Sequence, residues 1–213
     1  MLGLISLDPT QVPDLLERTS RMVAEIRDRV KRRAIVFASG FEVKGEMIQD
    51  TNTPHIIETL KRHGFSATPG CVLDDDERSI AVRLKEAAES GFGLVITTGG
   101  VGAEDKDRTI EGITLLDRRA ATPWVVKYRQ GTGRHVKEGV RIAVGEYGAA
   151  AIVAFPGPTD EVRECLDEFL ACVHDGDMER PDWKERVADR IAGRLAVHVK
   201  HKAGHFQHDH RGD

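Results

Sequence analysis

Two short runs, Ala34-Ile-Val-Phe-Ala38 and Leu94-Val-Ile-Thr-Thr98, constrain the fold most, because both are rich in branched or aromatic residues and neither holds a charge. A strand wet on one face alternates apolar with polar residues. A short run without charge reads instead as a strand covered on both faces, as in a parallel sheet between helices. Helical spacing recurs around them: Ile56, Ile57 and Leu60 before Gly64; Ile80, Leu84, Ala87 and Ala88 before Gly91; Ile110, Ile113, Leu116 and Ala120. Val162, Cys165, Leu166, Phe169 and Leu170 mark another helix, and Trp183, Val187, Ile191 and Leu195 a last one. Phe65 to Leu73 holds a weaker strand that Pro69-Gly70 interrupts, which places it at or near a sheet edge. Val140–Val144 and Ala150–Phe155 read as a hairpin turning through Gly145 to Gly148. Alternating elements of these lengths predict an α/β fold, a three-layer α/β/α sandwich with a mostly parallel sheet.

Local signals mark where the helices begin. Thr53 is a candidate N-cap with Pro54 at N1, and Asp107 a candidate N-cap for the helix through Ile110. Asp74, Asp75 and Asp76 have the composition of a metal site, but three acids at a helix start also complement its dipole, and the capping role is favoured.

Residues 10 to 32 carry Leu15, Leu16, Thr19, Met22, Val23, Ile26 and Val30 on one stripe of an amphipathic helix ended by Lys31-Arg32-Arg33. That stripe needs a surface, either on its own domain or on a neighbouring subunit. The chain therefore divides into an amino-terminal helical extension (1–33), an α/β domain (34–196) and a His-rich flexible tail (197–213).

At 213 residues the chain can bury one sizeable core, and 40% hydrophobic with 31% charged residues excludes a disordered class. A formal charge of −4 argues against bulk nucleic-acid binding, and no apolar run is long enough to cross a bilayer. No basic, then apolar, then small-residue series opens the chain, so no secretory signal is expected. Cys71, Cys165 and Cys172 are odd in number and lack CxxC spacing; reduced, buried thiols in a cytoplasm are the expectation.

The chemistry sits in three loops after strand ends: Ser39 to Asn52, Thr98 to Thr109, and Pro156 to Thr159. In an open parallel sheet such loops meet at one crevice. Gly99, Gly100 and Gly102 allow the backbone to present N–H groups to a phosphate, and Asp105 and Asp107 follow as candidate Mg²⁺ ligands. Glu42, Lys44, Asp50, Thr51 and Asn52 face them from the first loop, with Lys106 and Arg108 available to offset phosphate charge. Taken singly, Asp107 and Asp50 also fit as a helix cap and a turn residue. There is no GxxxxGK[ST], HExxH, GxSxG or paired CxxC, and Gly100-Val-Gly102 lacks the third glycine of a dinucleotide fingerprint. His198, His201, His205, His208 and His210 crowd the end of the chain, where either a transition metal or plain solvation suits them.

Thr98-Gly-Gly-Val-Gly-Ala-Glu-Asp-Lys-Asp-Arg-Thr109 resembles the TGGxGxxxxDxT signature of the molybdopterin-binding domain, shared by molybdopterin adenylyltransferases, gephyrin-like proteins and the amino-terminal half of CinA-type proteins. Gly40-Phe-Glu42, Gly45 and Asp50-Thr-Asn52 resemble the GxE, G and DTN pattern of the CinA-type branch, and Pro156-Gly-Pro158 its third segment. The resemblance implies a cytoplasmic α/β sandwich that assembles as a trimer. It implies a pterin phosphate on Thr98, Gly99, Gly100, Gly102 and Thr109, with Glu42, Asn52, Pro156, Gly157 and Pro158 contributing. Asp50 and Asp107 would be the catalytic acids, holding Mg²⁺ together with Asp105. The expected function is molybdopterin binding in molybdenum cofactor biosynthesis, with AMP transfer from Mg·ATP if the protein is catalytic. The alternatives are a CinA-like metal-dependent ADP-ribose pyrophosphatase and a non-catalytic pterin or nucleotide binder. The chain departs from the pattern at Phe41, where CinA-type members often carry an acid, and residues 121 to 139 match no motif.

Overall fold

The computed structural model describes residues 8–40, 50–127 and 137–208, leaving aside the side chains of 203–208. Glu42, Lys44, Gly45 and Phe41 thus lie outside the described residues, as do residues 128–136 and His210.

A sheet of five strands forms the middle layer. Its strands are β1 (Arg33–Ala38), β2 (Ser66–Pro69), β3 (Leu94–Thr98), β6 (Ala143–Tyr147) and β7 (Ala150–Phe155), in the order β2-β1-β3-β7-β6. The first four in that order run parallel, and β6 returns antiparallel to β7. The mostly parallel sheet expected from the apolar runs is present, with β2 at an edge.

The runs lack alternation because both faces are buried. In β7, Ala151, Val153 and Phe155 enter one core and Ala150, Ile152 and Ala154 the other. The first core is closed by α2 (Asn52–Arg62), α5 (Thr159–His174) and α6 (Trp183–His208), with Phe155 and Phe169 meeting edge to face at 6.4 Å. The second is closed by α3 (Glu77–Glu89) and α4 (Thr109–Leu116) through Ile80, Leu84, Ile110 and Ile113. These layers make the α/β/α sandwich. Among the described residues no helix is long and apolar enough to cross a membrane.

Several local readings are corrected. α2 starts one residue before Thr53, and its first amides are satisfied by Asp50, whose Oδ1 accepts from the N–H groups of Asn52 and Thr53 at 3.0 Å each. Asp107 does not cap α4; its Oδ2 turns back to accept from Glu104 N–H at 2.9 Å, and Thr109 N–H donates to Gly100 O instead. Asp76 does cap α3, accepting from Ser79 N–H at 2.8 Å. The hairpin of β6 and β7 turns tightly at Gly148-Ala149, while Gly139–Arg141 (β5) leaves it to pair with β4 (Trp124–Lys127) in a separate two-stranded sheet. Cys165 and Cys172 are buried on α5, but Cys71 is exposed. The boundary expected at residue 197 falls inside α6, which runs to His208.

Helix α1 (Val12–Lys31) forms as its stripe predicts, yet none of its residues is buried. Among the described residues its own domain does not cover it.

One buried ion cluster locks the layers together. Lys184 at the start of α6 donates to Asp117 (2.9 Å) and Glu146 (3.0 Å), with both Lys184 and Asp117 side chains only 10% exposed. Burial pushes the Asp117 carboxyl up, but the Lys184 ammonium and the N–H groups of Arg119 and Glu146 outweigh it and hold it below its ordinary range. Burial likewise depresses Lys184, and its two carboxylate partners raise it on balance. The stabilisation is therefore full between the ordinary aspartate and lysine values. It is lost as pH falls through the lowered Asp117 value or rises through the raised Lys184 value. Lys184→Ala strands Asp117 in the interior and is expected to cost about 3–5 kcal/mol, read as a lower urea midpoint at neutral pH.

Candidate functional site

Strand register builds the site. Ala38 pairs with Thr98, and Thr98 with Phe155, so three loops leave the sheet side by side at its carboxyl ends. The chain crosses from β1 to one side and from β3 to the other, which makes this a topological switch point of the kind where α/β sheets hold ligands. A crevice of about 520 Å³ opens there, lined from the first loop by Ser39, Asp50 and Asn52, from the second by Gly99 to Glu104, and from the third by Pro156 to Thr159. A hollow of about 490 Å³ at the opposite, amino end of the sheet, beside Arg32, Gly93 and Trp183, lies away from all three loops.

Hydrogen bonds fasten the loops to one another. Asn52 Nδ2 donates to Gly157 O at 2.6 Å and to Thr98 Oγ1 at 3.3 Å, and Thr98 Oγ1 donates to Pro156 O at 3.0 Å. Thr109 Oγ1 donates to Gly99 O at 3.1 Å beneath the glycine turn. These side chains hold the walls. Among the described residues Asn52 Oδ1 is buried without a partner, an acceptor available to an N–H donor of a ligand.

The glycines are required by space as well as by dihedral angle. Gly99 has φ +92°, and a Cβ there would lie 2.3 Å from Ser39 O; at Gly100, with φ +67°, it would lie 2.3 Å from Thr109 Oγ1. At Gly102 a Cβ would meet Asp107 Oδ2 at 2.5 Å. Gly99 N–H donates to Phe155 O and Pro156 O, continuing the ladder between strands. Among the described residues the N–H groups of Gly100, Val101 and Gly102 find no backbone acceptor, which leaves them available to an anion. The first turn of α5 adds more: Pro158 at its N-cap has no capping side chain, which leaves helix-start N–H groups at the crevice.

Carboxylates line the same crevice as these donors. Burial raises the Asp107 carboxyl above its ordinary value, against a lowering by Glu104 N–H and Lys137. Burial also raises Glu161, with the neighbouring Asp160 adding to it. Five acids line the crevice (Asp50, Asp75, Glu104, Asp107 and Glu161) against the single cation Lys106 among the described residues. No cluster of three or more metal-ligating side chains occurs among the described residues.

Residues 34–175 match the family model described as "Probable molybdopterin binding domain". The chain belongs to this family. Curated relatives include CinA-like proteins of Fervidobacterium nodosum and Mycobacterium tuberculosis, each 33% identical over 82 residues, or 38% of this chain. The match spans only about a fifth of their length, 20% and 19% respectively. The structure is similar to the molybdopterin biosynthesis Mog protein from Mycobacterium ulcerans (26% identity, TM-score 0.56, covering 68% of this chain and 96% of that one). It shares its fold with CinA from Thermoplasma acidophilum (20%, TM-score 0.52, 68% and 97%). The tungsten cofactor synthesizing protein MoaB from Pyrococcus furiosus has the same fold (20%, TM-score 0.53, 69% and 95%).

Of the residues that the molybdopterin-binding pattern singles out, Asp50, Asn52, Thr98, Gly99, Gly100 and Gly102 come together at the crevice, with Asp107 and Pro156 to Pro158 beside them. Thr109 is buried beneath them. Asp105 is not brought in: its side chain is 76% exposed and pairs with Arg108 at 2.8 Å, which also lies 3.9 Å from Glu77. Glu42 lies outside the described residues. Sequence reading did not connect Lys137 with the second loop; its ammonium donates to Asp107 O and, at 2.8 Å, to Glu111 Oε1. No local signal connects residues 30 positions apart. It also missed the open start of α5, for which Pro156-Gly-Pro158 before Thr159 was a usable sign. Gly99→Ala would force Cβ against backbone in a left-handed conformation. It is expected to destabilise by about 1–3 kcal/mol, seen as a fall in melting temperature, and to abolish ligand binding.

Proposed function

We propose that this chain binds molybdopterin through its phosphate in the molybdenum or tungsten cofactor pathway, and transfers AMP from Mg·ATP to that phosphate. The observation that carries the reading is a crevice lined by anion donors and acids together: amides of Gly100 to Gly102, the open start of α5, and the carboxylates Asp50 and Asp107. Membership of the molybdopterin-binding family and likeness to the Mog protein support it.

The acidic lining repels a bare phosphate, so the anion enters with a divalent cation. Mg²⁺ is commonly held by one or two carboxylates plus substrate phosphates, and that requirement suits separate acids better than a dedicated three-ligand cage. Asp107 and Asp50 would hold it, and when bound it would neutralise charge on the transferring phosphoryl group. The chain's own part is positional. Glycine amides fix the pterin phosphate, the Asn52–Thr98–Pro156 bonds keep the loops at a set separation, and Lys106 offsets charge at the rim.

Because Asp107 is raised, it takes up a proton at higher pH than an exposed aspartate. Metal-dependent ligand affinity should then weaken on acidification while ordinary carboxylates are still charged. Titration calorimetry with molybdopterin and Mg²⁺ across pH 4 to 8 reads this directly. Asp107→Asn is expected to lower affinity roughly tenfold or more, about 1.4 kcal/mol, and to abolish AMP transfer, whereas Asp105→Asn leaves both unchanged. Equal binding and turnover by Asp107→Asn would overturn the assignment.

A second reading, a metal-dependent pyrophosphatase acting on ADP-ribose, is favoured by the CinA-like relatives and by Asp50-Thr-Asn52 in place at the crevice. Release of AMP from ADP-ribose with Mg²⁺ and no pterin selects it over adenylyl transfer.

A further inference from the structure

A smaller cavity adjoins the glycine turn, and the phosphate with its metal does not use it. It holds about 230 Å³ and shares Val101 and Gly102 with the crevice, so the two spaces meet at the turn. The β4–β5 ribbon supplies one wall: Val140 lines the crevice, while its neighbour Arg141 lines the smaller cavity. Pockets for drug-sized ligands run to roughly 300–1,000 Å³. This one has room for a single fused-ring head rather than for a complete nucleotide.

Its lining is polar in a particular way. Glu111, on α4, accepts from Lys137 Nζ through Oε1 at 2.8 Å, and among the described residues its Oε2 is buried with no donor. An ion pair that only tied the ribbon to α4 would use the first oxygen and leave the second to solvent. A buried acceptor calls for an N–H. On the ribbon, Trp124 is half-buried, with Arg141 Cζ 4.8 Å from its ring centroid and Lys127 Nζ at 5.2 Å. These cations hold the indole in place, and Arg141 brings a fork of N–H donors to the cavity.

One small space thus presents a carboxylate oxygen in need of a donor, a guanidinium in need of an acceptor, and an aromatic ring. A flat heterocycle with an amino group and a ring N–H side by side, and a carbonyl next to them, answers all three. The two N–H groups suit the carboxylate, the carbonyl suits Arg141 or Lys137, and the ring plane suits contact with indole or guanidinium. We propose that this cavity is a head-reading subsite, in which Glu111 selects a 2-amino-4-oxo heterocycle of pterin or guanine type. The inference rests on the phosphate reading given above: because Gly102 borders both spaces, one ligand places its head here and its phosphate on the glycine amides. Adenine answers less well, since its amino group suits the carboxylate but it carries no carbonyl for the guanidinium.

Titration calorimetry of the full chain with heads that carry no phosphate tests the proposal. Pterin and lumazine differ in one group, an amino in the first where the second has a carbonyl. Guanosine and inosine differ in the same amino group, which inosine lacks. The parent is expected to bind the amino member of at least one pair roughly tenfold or more tighter than its partner, because a site built around a hydrogen bond rejects the analogue that cannot make it. Glu111→Gln keeps an oxygen for Lys137 and adds donors; it is expected to bring the ratio close to one with the melting temperature preserved. Discrimination led by pterin identifies a pterin head, and discrimination led by guanosine a guanine head. Equal binding within both pairs overturns the proposal, whether or not the variant folds. So do adenosine as the tightest ligand, no uptake of any head, and a ratio unchanged in folded Glu111→Gln. Inorganic phosphate with Mg²⁺ is titrated in parallel. Phosphate uptake without head selectivity defeats the subsite alone, whereas head selectivity without phosphate uptake upholds the subsite and defeats the phosphate reading of the crevice.

Discussion

The parallel register that sets Ala38 beside Thr98 and Thr98 beside Phe155 is the constraint on which the site depends. Three loops that begin at one level can be joined by single hydrogen bonds, and they are. Ser39 N–H donates to Thr98 O and Gly99 N–H to Phe155 O, so the ladder runs one residue past the strands before the backbone turns away. The turn needs a positive φ at Gly99 because the continued ladder has already brought Ser39 O to 2.3 Å from any Cβ there. Sheet pairing thus dictates both where the glycine stands and which amides remain for a ligand.

A division of labour within the motif follows. Thr98, Asn52 and Thr109 belong to the recognisable pattern, but their donors are spent on Pro156 O, Gly157 O and Gly99 O. They are architecture. Among the described residues the groups at the crevice that can meet a ligand include backbone N–H, carboxylates, Lys106 and the unpartnered Asn52 Oδ1. Backbone amides bind an anion without discriminating what is attached to it, whereas the acids demand a cation beside it. A phosphate with its metal satisfies both demands.

Much of this was legible because burial on two faces leaves a plain mark. Leu94 to Thr98 is buried throughout, and no surface position interrupts the run. The amphipathic helices were equally readable, since their stripes repeat within ten residues. Strands β4 and β5 were not: Trp124 to Lys127 is at most half-buried, and its partner Gly139–Arg141 lies across a stretch with no pattern. Capping residues were misassigned for a narrower reason. Asp50 reaches the first amides of α2 from two residues outside the helix, and Asp107 folds back on Glu104. Both acts are decided by loop geometry, which residue type alone leaves open. Of the candidate acids among the described residues, Asp105 stands away from the crevice, because Arg108 three residues later offers it a closer partner in solvent.

The placement of α1 is compatible with the work of the crevice. The helix ends at Lys31 and β1 begins at Arg33, so α1 joins the sheet at its amino ends. The crevice lies at the carboxyl ends, a strand of six residues away, or about 20 Å. A helix that entered from the other end would crowd Asp50 and the glycine turn and obstruct ligand access. Attached where it is, the helix leaves all three loops clear. Among the described residues it contributes no side chain to the crevice lining, so the exposed apolar stripe and the ligand site are separate surfaces of one short chain.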